Sequence, residues 1–408
     1  MGPFYHLGIV LYSRIIALVG WFNPKAKAWW TGRKDKAFLN DDFSKSKVIW
    51  FHCASLGEFD QGLPLMRSWK ERFPDYKIVV SFFSPSGIQF YNKRQHPVDH
   101  AFYLPIDTQR NASEFLSHIK PEIGVFMKYE FWGNHLFVAR NLGIKLYSAS
   151  AIFRDNQIYF KPFGRNQRRV LKCLDHFFVQ NEKSKTLLES IDIRNVTVSG
   201  DLRYETVLQN KAKHTSDEKL SAFCEGNKAI VFGSTWPEDE TLVFDLINNE
   251  NFTDKVIIAP HDIKEEHLAF IEKNINKTTC RYSDFNKGGA AQIMIVDTIG
   301  LLNSAYQFGK FAYVGGGQSG ALHNILEPAA YGLPVIIGPK HEKFPEANLF
   351  LEKGFALEIS SKSEAKEVFY KMDGIAQQQS QEILRFMESK KDISGPIVDH
   401  MSKDITPQ

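Results

Sequence analysis

From residue 47 onward, short runs of β-branched and aromatic residues alternate with longer stretches whose apolar positions recur at helical spacing. In the first half the runs are "KVIWFHCAS" (47–55), "KIVVSFFS" (77–84), "HAFYLPID" (100–107), "IGVFMKYE" (123–130), "IKLYSASA" (144–151), "HFFVQN" (176–181) and "NVTVSGD" (195–201). Continuous apolar runs separated by helices predict a parallel sheet buried on both faces. The rhythm stops at 208–228, "LQNKAKHTSDEKLSAFCEGNK", which is polar, lacks a strand pattern and reads as a linker with one short helix. Runs resume with "KAIVFGST" (228–235), "KVIIAPH" (255–261), "QIMIVDT" (292–298), "FAYVGGG" (311–317) and "PVIIGP" (334–339). The prediction is an α/β chain of two Rossmann-like, doubly wound domains facing a central cleft. The expected divisions are an N-terminal segment 1–46, a first domain 47–207, a linker 208–227, a second domain 228–375, and a helix 376–408 packing back toward the first domain.

The N-terminal segment has its own pattern. "FYHLGIVLYSRIIALVGWF" (4–22) is mostly apolar, but Arg14 sits mid-stretch, which costs about 2.5–3.5 kcal/mol in hydrocarbon. Lys25, Lys27, Arg33, Lys34 and Lys36 follow around Trp29 and Trp30, a combination suited to the headgroups of an anionic membrane face. An interfacial helix is expected ahead of a true span, and no cleavage site follows. The 408 residues carry 43 % hydrophobic and 24 % charged residues and a net charge of +3, a folded composition that points to no nucleic-acid partner. Four scattered cysteines offer neither a disulfide framework nor a zinc site.

Ligands of doubly wound sheets lie at the carboxyl ends of the strands, so residues after each run carry the candidate chemistry. In the second half, Gly233, Ser234 and Thr235 stand where a strand turns into a helix and suit a phosphate. His261 follows a strand directly. Gly315, Gly316, Gly317 and Gly320 allow close backbone approach, and "HNILEPAAYGLPVI" begins a helix with Glu327 one turn in. A Gly-rich loop followed by His-Asn and Glu-Pro matches the nucleotide-sugar site of two-domain glycosyltransferases. Neither a P-loop nor a dinucleotide fingerprint is present, and no D-x-D pair follows a strand, so neither a cofactor nor a catalytic metal is expected. In the first half, Ser55-x-x-Glu58 is a capping box, which by itself calls for a helix start and no chemistry.

Taken in order, "ASLGE", "MKYEFWGN", "VTVSGDLRYE", "FGSTWPEDE", "IIAPH", "VDTIGLL" and "GALHNILEPAAYGLPVIIGP" resemble the motifs of bacterial 3-deoxy-D-manno-octulosonic acid (Kdo) transferases, over about residues 1–350. The resemblance implies the GT-B fold and metal-free, inverting transfer of Kdo from CMP-Kdo to the lipid A precursor at the cytoplasmic side of the inner membrane. It also implies Glu58 as general base, Glu130 in the active centre, and Arg203 where the family usually has Lys. Donor contacts are implied for Pro260, His261, Ile299, Gly300, Leu301, Asn324, Ile325, Leu326 and Glu327. Ser234, Gly316 and Arg203 are candidates for stabilising the leaving group. His261 replaces the family's usual Arg, and Gly133 replaces a Pro. Arg154, Arg165, Arg168 and Arg169, set among aromatics, suit the phosphates of the acceptor or a solvated face. Alternatives are a GT-B enzyme using a UDP-sugar on a lipid acceptor, a catalytically silent membrane-surface scaffold, and a nucleotide-sugar epimerase.

Overall fold

The computed structural model describes residues 2–213, 215–286 and 290–405. It divides into two units, Met1–Thr206 with Asp392–Gln408, and Val207–Lys391. Each is built on a seven-stranded, all-parallel sheet, and together the two sheets make the GT-B plan.

In the first unit the strands are β1 (Lys47–Cys53), β2 (Tyr76–Phe82), β3 (His100–Tyr103), β4 (Ile123–Met127), β5 (Lys145–Ala151), β6 (His176–Val179) and β7 (Val196–Val198). Their order is β3-β2-β1-β4-β5-β6-β7. β1 and β4 are buried almost throughout, as their unbroken apolar runs require. Trp50, Phe115 and Phe126 pack together beside β1. Strand order reverses between β1 and β4, so the carboxyl ends of these two strands flank a topological switch point.

The N-terminal segment forms helix α1 (Pro3–Val19) and helix α2 (Pro24–Lys34). Asn23 caps α2 by accepting from the amides of Lys25 and Ala26, and Pro24 fills the first helical position. One face of α1 is held to the unit: the Tyr5 hydroxyl donates to Asp107 (2.5 Å) and accepts from the Gly133 amide (3.3 Å). The opposite face exposes Leu7, Leu11, Ile15 and Leu18, and beyond the helix Trp21 and Phe22 are 81 % and 89 % exposed. Among the described residues no helix is long and apolar enough to cross a membrane.

The second unit has β8 (Ala229–Thr235), β9 (Val256–Pro260), β10 (Thr279–Arg281), β11 (Ile293–Ile295), β12 (Gly309–Val314), β13 (Val335–Ile337) and β14 (Ala356–Glu358), ordered β10-β11-β9-β8-β12-β13-β14. Its switch point lies between β8 and β12.

Two segments differ from the sequence-based expectation. The stretch expected as a linker is the end of helix Leu202–Lys213 followed by helix Glu218–Cys224. Leu220, Phe223 and Cys224 are buried and Lys219 donates to the carbonyls of Tyr282 and Ser283, so the second helix is part of the second unit. The C-terminal region is also not one returning helix. Lys362–Glu388 buries Ala365, Phe369, Met372 and Ala376 in the second core, and only the segment from Asp392 joins the first unit. There the buried Glu205 carboxylate takes the amides of Ile393 and Ser394 and the Ser394 hydroxyl, fixing the start of helix Ser394–Met401.

Candidate functional site

At the first switch point, β1 ends at Cys53 and Ser55 caps helix α3 (Leu56–Arg72). The cap is stretched, with the Glu58 amide 3.5 Å from Ser55 Oγ. The Glu58 carboxylate turns back and takes the Ala54 amide on Oε2 at 2.6 Å, one residue before the position a capping box would use. Oε1 accepts no hydrogen bond from the described residues, and the side chain is only 9 % exposed. Burial raises the Glu58 pKa above the usual carboxylate range, opposed by the Ala54 amide, Lys128 and His52 and reinforced by Glu130. A half-engaged, desolvated carboxylate of this kind is a competent proton acceptor.

Glu130 follows β4 on the other side of the switch. Its Oε2 is 3.1 Å from Nε2 of His52, a residue 1 % exposed inside β1. His52 Nδ1 is 2.9 Å from Ser81 Oγ, which takes the indole N–H of Trp50 at 2.8 Å. If Ser81 gives its own proton to Nδ1, the imidazole keeps its N–H toward Glu130, and every partner is satisfied. Lys128, between β4 and Glu130, has a φ of +58°, and Ser150 in β5 has +53°, left-handed values rare outside glycine. His52 and Ser81 belong to none of the sequence motifs that carry candidate chemistry, and Lys128 lies in "MKYEFWGN" without a role there. A histidine inside the otherwise apolar "VIWFHC" was the available signal.

Arg203 belongs to this unit. It forks onto Asp201 Oδ2 through Nε (2.8 Å) and Nη2 (2.6 Å), and Asp201 also accepts from Gln61 at 2.6 Å. The carboxylate partly offsets its charge. Arg154, Arg165 and Arg169 are exposed, whereas Arg168 donates to the carbonyls of Tyr159 and Lys161. Ile158 and Phe163 beside them are exposed, and Tyr159 is close enough to Tyr5 of α1 to act on its phenol electrostatically.

In the second unit, Ser234 has a φ of +53°, and a Cβ on Gly315 would come within 2.3 Å of the Ser234 carbonyl oxygen, so the ends of β8 and β12 meet. Gly316 has a φ of +86° and no room for a side chain against Ala321. Its amide donates to Asp239 at 2.9 Å. Asp239 is fully buried and also takes the Trp236 amide (3.0 Å) and the Tyr313 hydroxyl (2.8 Å), so one carboxylate fixes the Gly-rich loop. Asp239→Ala would orphan three buried donors at roughly 1–3 kcal/mol each before relaxation. We expect urea unfolding to show a loss of at least about 3 kcal/mol.

Pro260 ends β9, and the His261 amide donates to the Thr235 carbonyl. The ring of His261 packs at a tilt against both Trp236 (ring centres 4.3 Å apart) and His323 (4.6 Å). Burial, and next His261, lower the His323 pKa. Asn324 Nδ2 donates to Glu327 Oε1 at 3.2 Å, and burial raises the Glu327 pKa. Ile325 and Leu326 are fully buried, so their side chains serve the core and only their backbone is available to a ligand. Ile299 is exposed and Gly300 has a φ of +94°, with Leu301 capping the helix that begins at Leu302. The donor candidates thus gather at the carboxyl edge of the second sheet.

Residues 30–206 match the family model of 3-deoxy-D-manno-octulosonic-acid transferase (kdotransferase). The chain is 26 % identical to the 3-deoxy-D-manno-octulosonic acid transferase of Chlamydia muridarum over 78 % of its length and 76 % of that protein's. It is 29 % identical to the Chlamydophila psittaci enzyme (72 % and 69 % covered) and 26 % identical to the Rickettsia bellii enzyme (82 % of each). Among solved structures, UDP-GlcNAc 2-epimerase from Neisseria meningitidis aligns with a TM-score of 0.62 at 14 % identity, covering 88 % of this chain and 99 % of that one. The glycotransferase of kitacinnamycin aligns with a TM-score of 0.57 at 10 % identity, covering 89 % and 100 %. Those two likenesses show the fold alone. The sequence matches go further: over most of its length the chain is similar to 3-deoxy-D-manno-octulosonic acid transferases.

Proposed function

We propose that the chain transfers Kdo from CMP-Kdo to a primary hydroxyl of the lipid A precursor, with inversion, using Glu58 as general base. The observation that carries the reading is the half-engaged, desolvated Glu58 carboxylate at the switch point of the first sheet. Glu58 Oε1 takes the proton of the attacking hydroxyl while Oε2 stays on the Ala54 amide. Glu130, held by His52, adds negative charge beside it and keeps it basic. The donor's cytidine lies on Asn324–Glu327 and its phosphate on Ser234 and the Gly316 loop, where backbone donors stabilise the departing CMP. Pro260, His261 and Ile299–Leu301 complete the donor site. Arg203, turned by Asp201, supplies positive charge to the reacting centre. Incubation of the purified protein with CMP-Kdo and tetra-acylated lipid A precursor, read by mass spectrometry, tests the reading. A product heavier by Kdo supports it; transfer from a UDP-sugar instead refutes the donor.

The same reading places the chain on the cytoplasmic face of the inner membrane, with α1 lying in the interface. Its exposed strip of Leu7, Leu11, Ile15 and Leu18, continued by Trp21 and Phe22 and followed by the cations of α2, combines apolar area with positive charge. Burying one Leu contributes about 1.5–3 kcal/mol. The double substitution Leu11→Asp, Leu18→Asp is expected to weaken co-sedimentation with anionic vesicles by at least about tenfold. Unchanged sedimentation would contradict this orientation of α1.

A further inference from the structure

Glu130 stands in the link, residues 128–132, between the end of β4 and helix Gly133–Asn141. Such a link holds a side chain only as well as its two ends are held. The β4 end is tied to the sheet, where the Lys128 amide donates to the Ala149 carbonyl at 3.0 Å. The other end is a helix start, whose first amides have no partner inside the helix. The residue at the capping position, Trp132, makes no side-chain cap, because an indole carries no acceptor.

The exposed amides are met from outside the helix. Asp107, beyond β3, takes the Asn134 amide on Oδ2 (3.1 Å) and the His135 amide on Oδ1 (2.9 Å). Tyr5, from α1, takes the Gly133 amide on its hydroxyl oxygen (3.3 Å). The two acceptors are themselves joined, since the Tyr5 hydroxyl donates to Asp107 Oδ2 at 2.5 Å. Burial, and next the Asp107 charge, raise the Tyr5 pKa, so the phenol keeps its proton and the direction of both bonds is set. The His135 ring completes the group. Its Nδ1 is 2.7 Å from Asp107 Oδ1, and its Nε2 is buried with no partner among the described residues, so the ring proton belongs on Nδ1. The side chains of Asp107 and His135 are fully buried. A carboxylate is tolerated there because each of its oxygens accepts hydrogen bonds.

Were Tyr5 only an anchor for α1, its bond to Asp107 would suffice. Its second bond falls on Gly133, just past Glu130. The residues between are held by apolar packing alone: Phe131 lies against Phe126 and Phe153, and Trp132 stacks on Phe83 with ring centres 4.9 Å apart. We propose that Tyr5 is a positioning residue for the reaction: by completing the cap of helix Gly133–Asn141 it holds the link that keeps Glu130 beside His52 and Glu58. Helix α1 is then part of the scaffold of the active centre as well as a surface for lipid. The inference rests on the reading of Glu130 given above and adds a residue to it.

A mutant cycle on Tyr5 and Gly133 tests this, with the full chain in detergent, CMP-Kdo and the tetra-acylated lipid A precursor. Tyr5→Phe keeps the ring and removes only the hydroxyl. It should lower kcat by about tenfold, since a misplacement of about 1 Å can cost ~10² in rate, and leave both KM values within about twofold. Gly133→Pro removes the amide that the hydroxyl serves, and proline suits the first position of a helix. Trp132, with φ −91° and ψ 112°, already has the extended backbone of a residue before proline. In the Tyr5→Phe background, Gly133→Pro should therefore restore kcat to within about threefold of the wild type, because donor and acceptor are then both gone. A purely structural anchor would not be restored this way. Wild-type kcat in Tyr5→Phe, or a loss that Gly133→Pro does not repair, overturns the proposal. Amide exchange read by mass spectrometry supplies a readout without turnover. Peptides covering 128–136 should exchange at least about fivefold faster in Tyr5→Phe than in the wild type, and those covering 54–58 at the same rate. Unchanged exchange at 128–136 also overturns the proposal. Thermal melts establish that the variants fold, and if the double variant does not, Tyr5→Phe decides by its kcat and its exchange. Failure of the wild type to transfer Kdo would refute the reaction and leave the exchange comparison to decide whether Tyr5 holds the link.

Discussion

Glu58→Gln is expected to lower kcat for sugar transfer by roughly 10²–10⁴-fold, the range a positioned general base contributes. The amide is nearly the same size, and its oxygen can still take the Ala54 N–H, so the thermal melt should scarcely move. The variant separates the two roles of this residue. A cap-only Glu58 would cost at most about 0.5–2 kcal/mol of stability and leave the rate alone. The pH dependence supplies a second readout. A base must be unprotonated, and burial raises the Glu58 pKa above that of a free glutamate. The rate should therefore fall as pH drops through a value above about 4.3, the usual glutamate pKa, and this acid limb should vanish in Glu58→Gln. Initial rates of Kdo transfer from pH 5 to 9, at saturating donor, check both points.

The second large effect is on the donor. Glu327→Ala should weaken CMP binding by about 10–100-fold, since hydrogen bonds to a charged group are each worth about 1.5–3 kcal/mol. Glu327 Oε1 is held by Asn324, while Oε2 accepts nothing from the described residues and is available to ribose hydroxyls. Burial raises its pKa, so CMP affinity should decline as pH falls through that raised value, and the decline should be absent in the variant. Titration of CMP into both proteins measures this. Equal affinities would remove Glu327 from the donor site.

The sequence made both sheets legible wherever a strand was long and buried on both faces. Runs such as "KVIWFHC" and "KAIVFGST" can be little else. It did not reveal β10 or β14, because three-residue edge strands such as Thr279–Arg281 are too short to show a period. The segment 208–227 misled because it is polar on average. Its few apolar residues, Leu220, Phe223 and Cys224, nonetheless fall on one face of a short helix and are buried. The candidate residues were legible where they follow a strand in sequence, as Glu58 and Glu130 do, or close one, as Ser234 does near the end of β8. The site was not legible where a partner arrives from elsewhere in the fold. His52 reaches Glu130 across the switch point, Asp239 holds an amide 77 residues away, and Tyr5 meets Asp107 and Gly133 from a helix far ahead of both in the chain.

A crystal structure of the protein with CMP and a non-reactive acceptor tests the central claim most directly. It should show the cytidine ribose on Glu327 and the acceptor's primary hydroxyl about 2.6–3.2 Å from Glu58 Oε1. Cytidine bound away from residues 324–327, or an acceptor hydroxyl approached by some other base while Glu58 stays closed on Ala54, would contradict it.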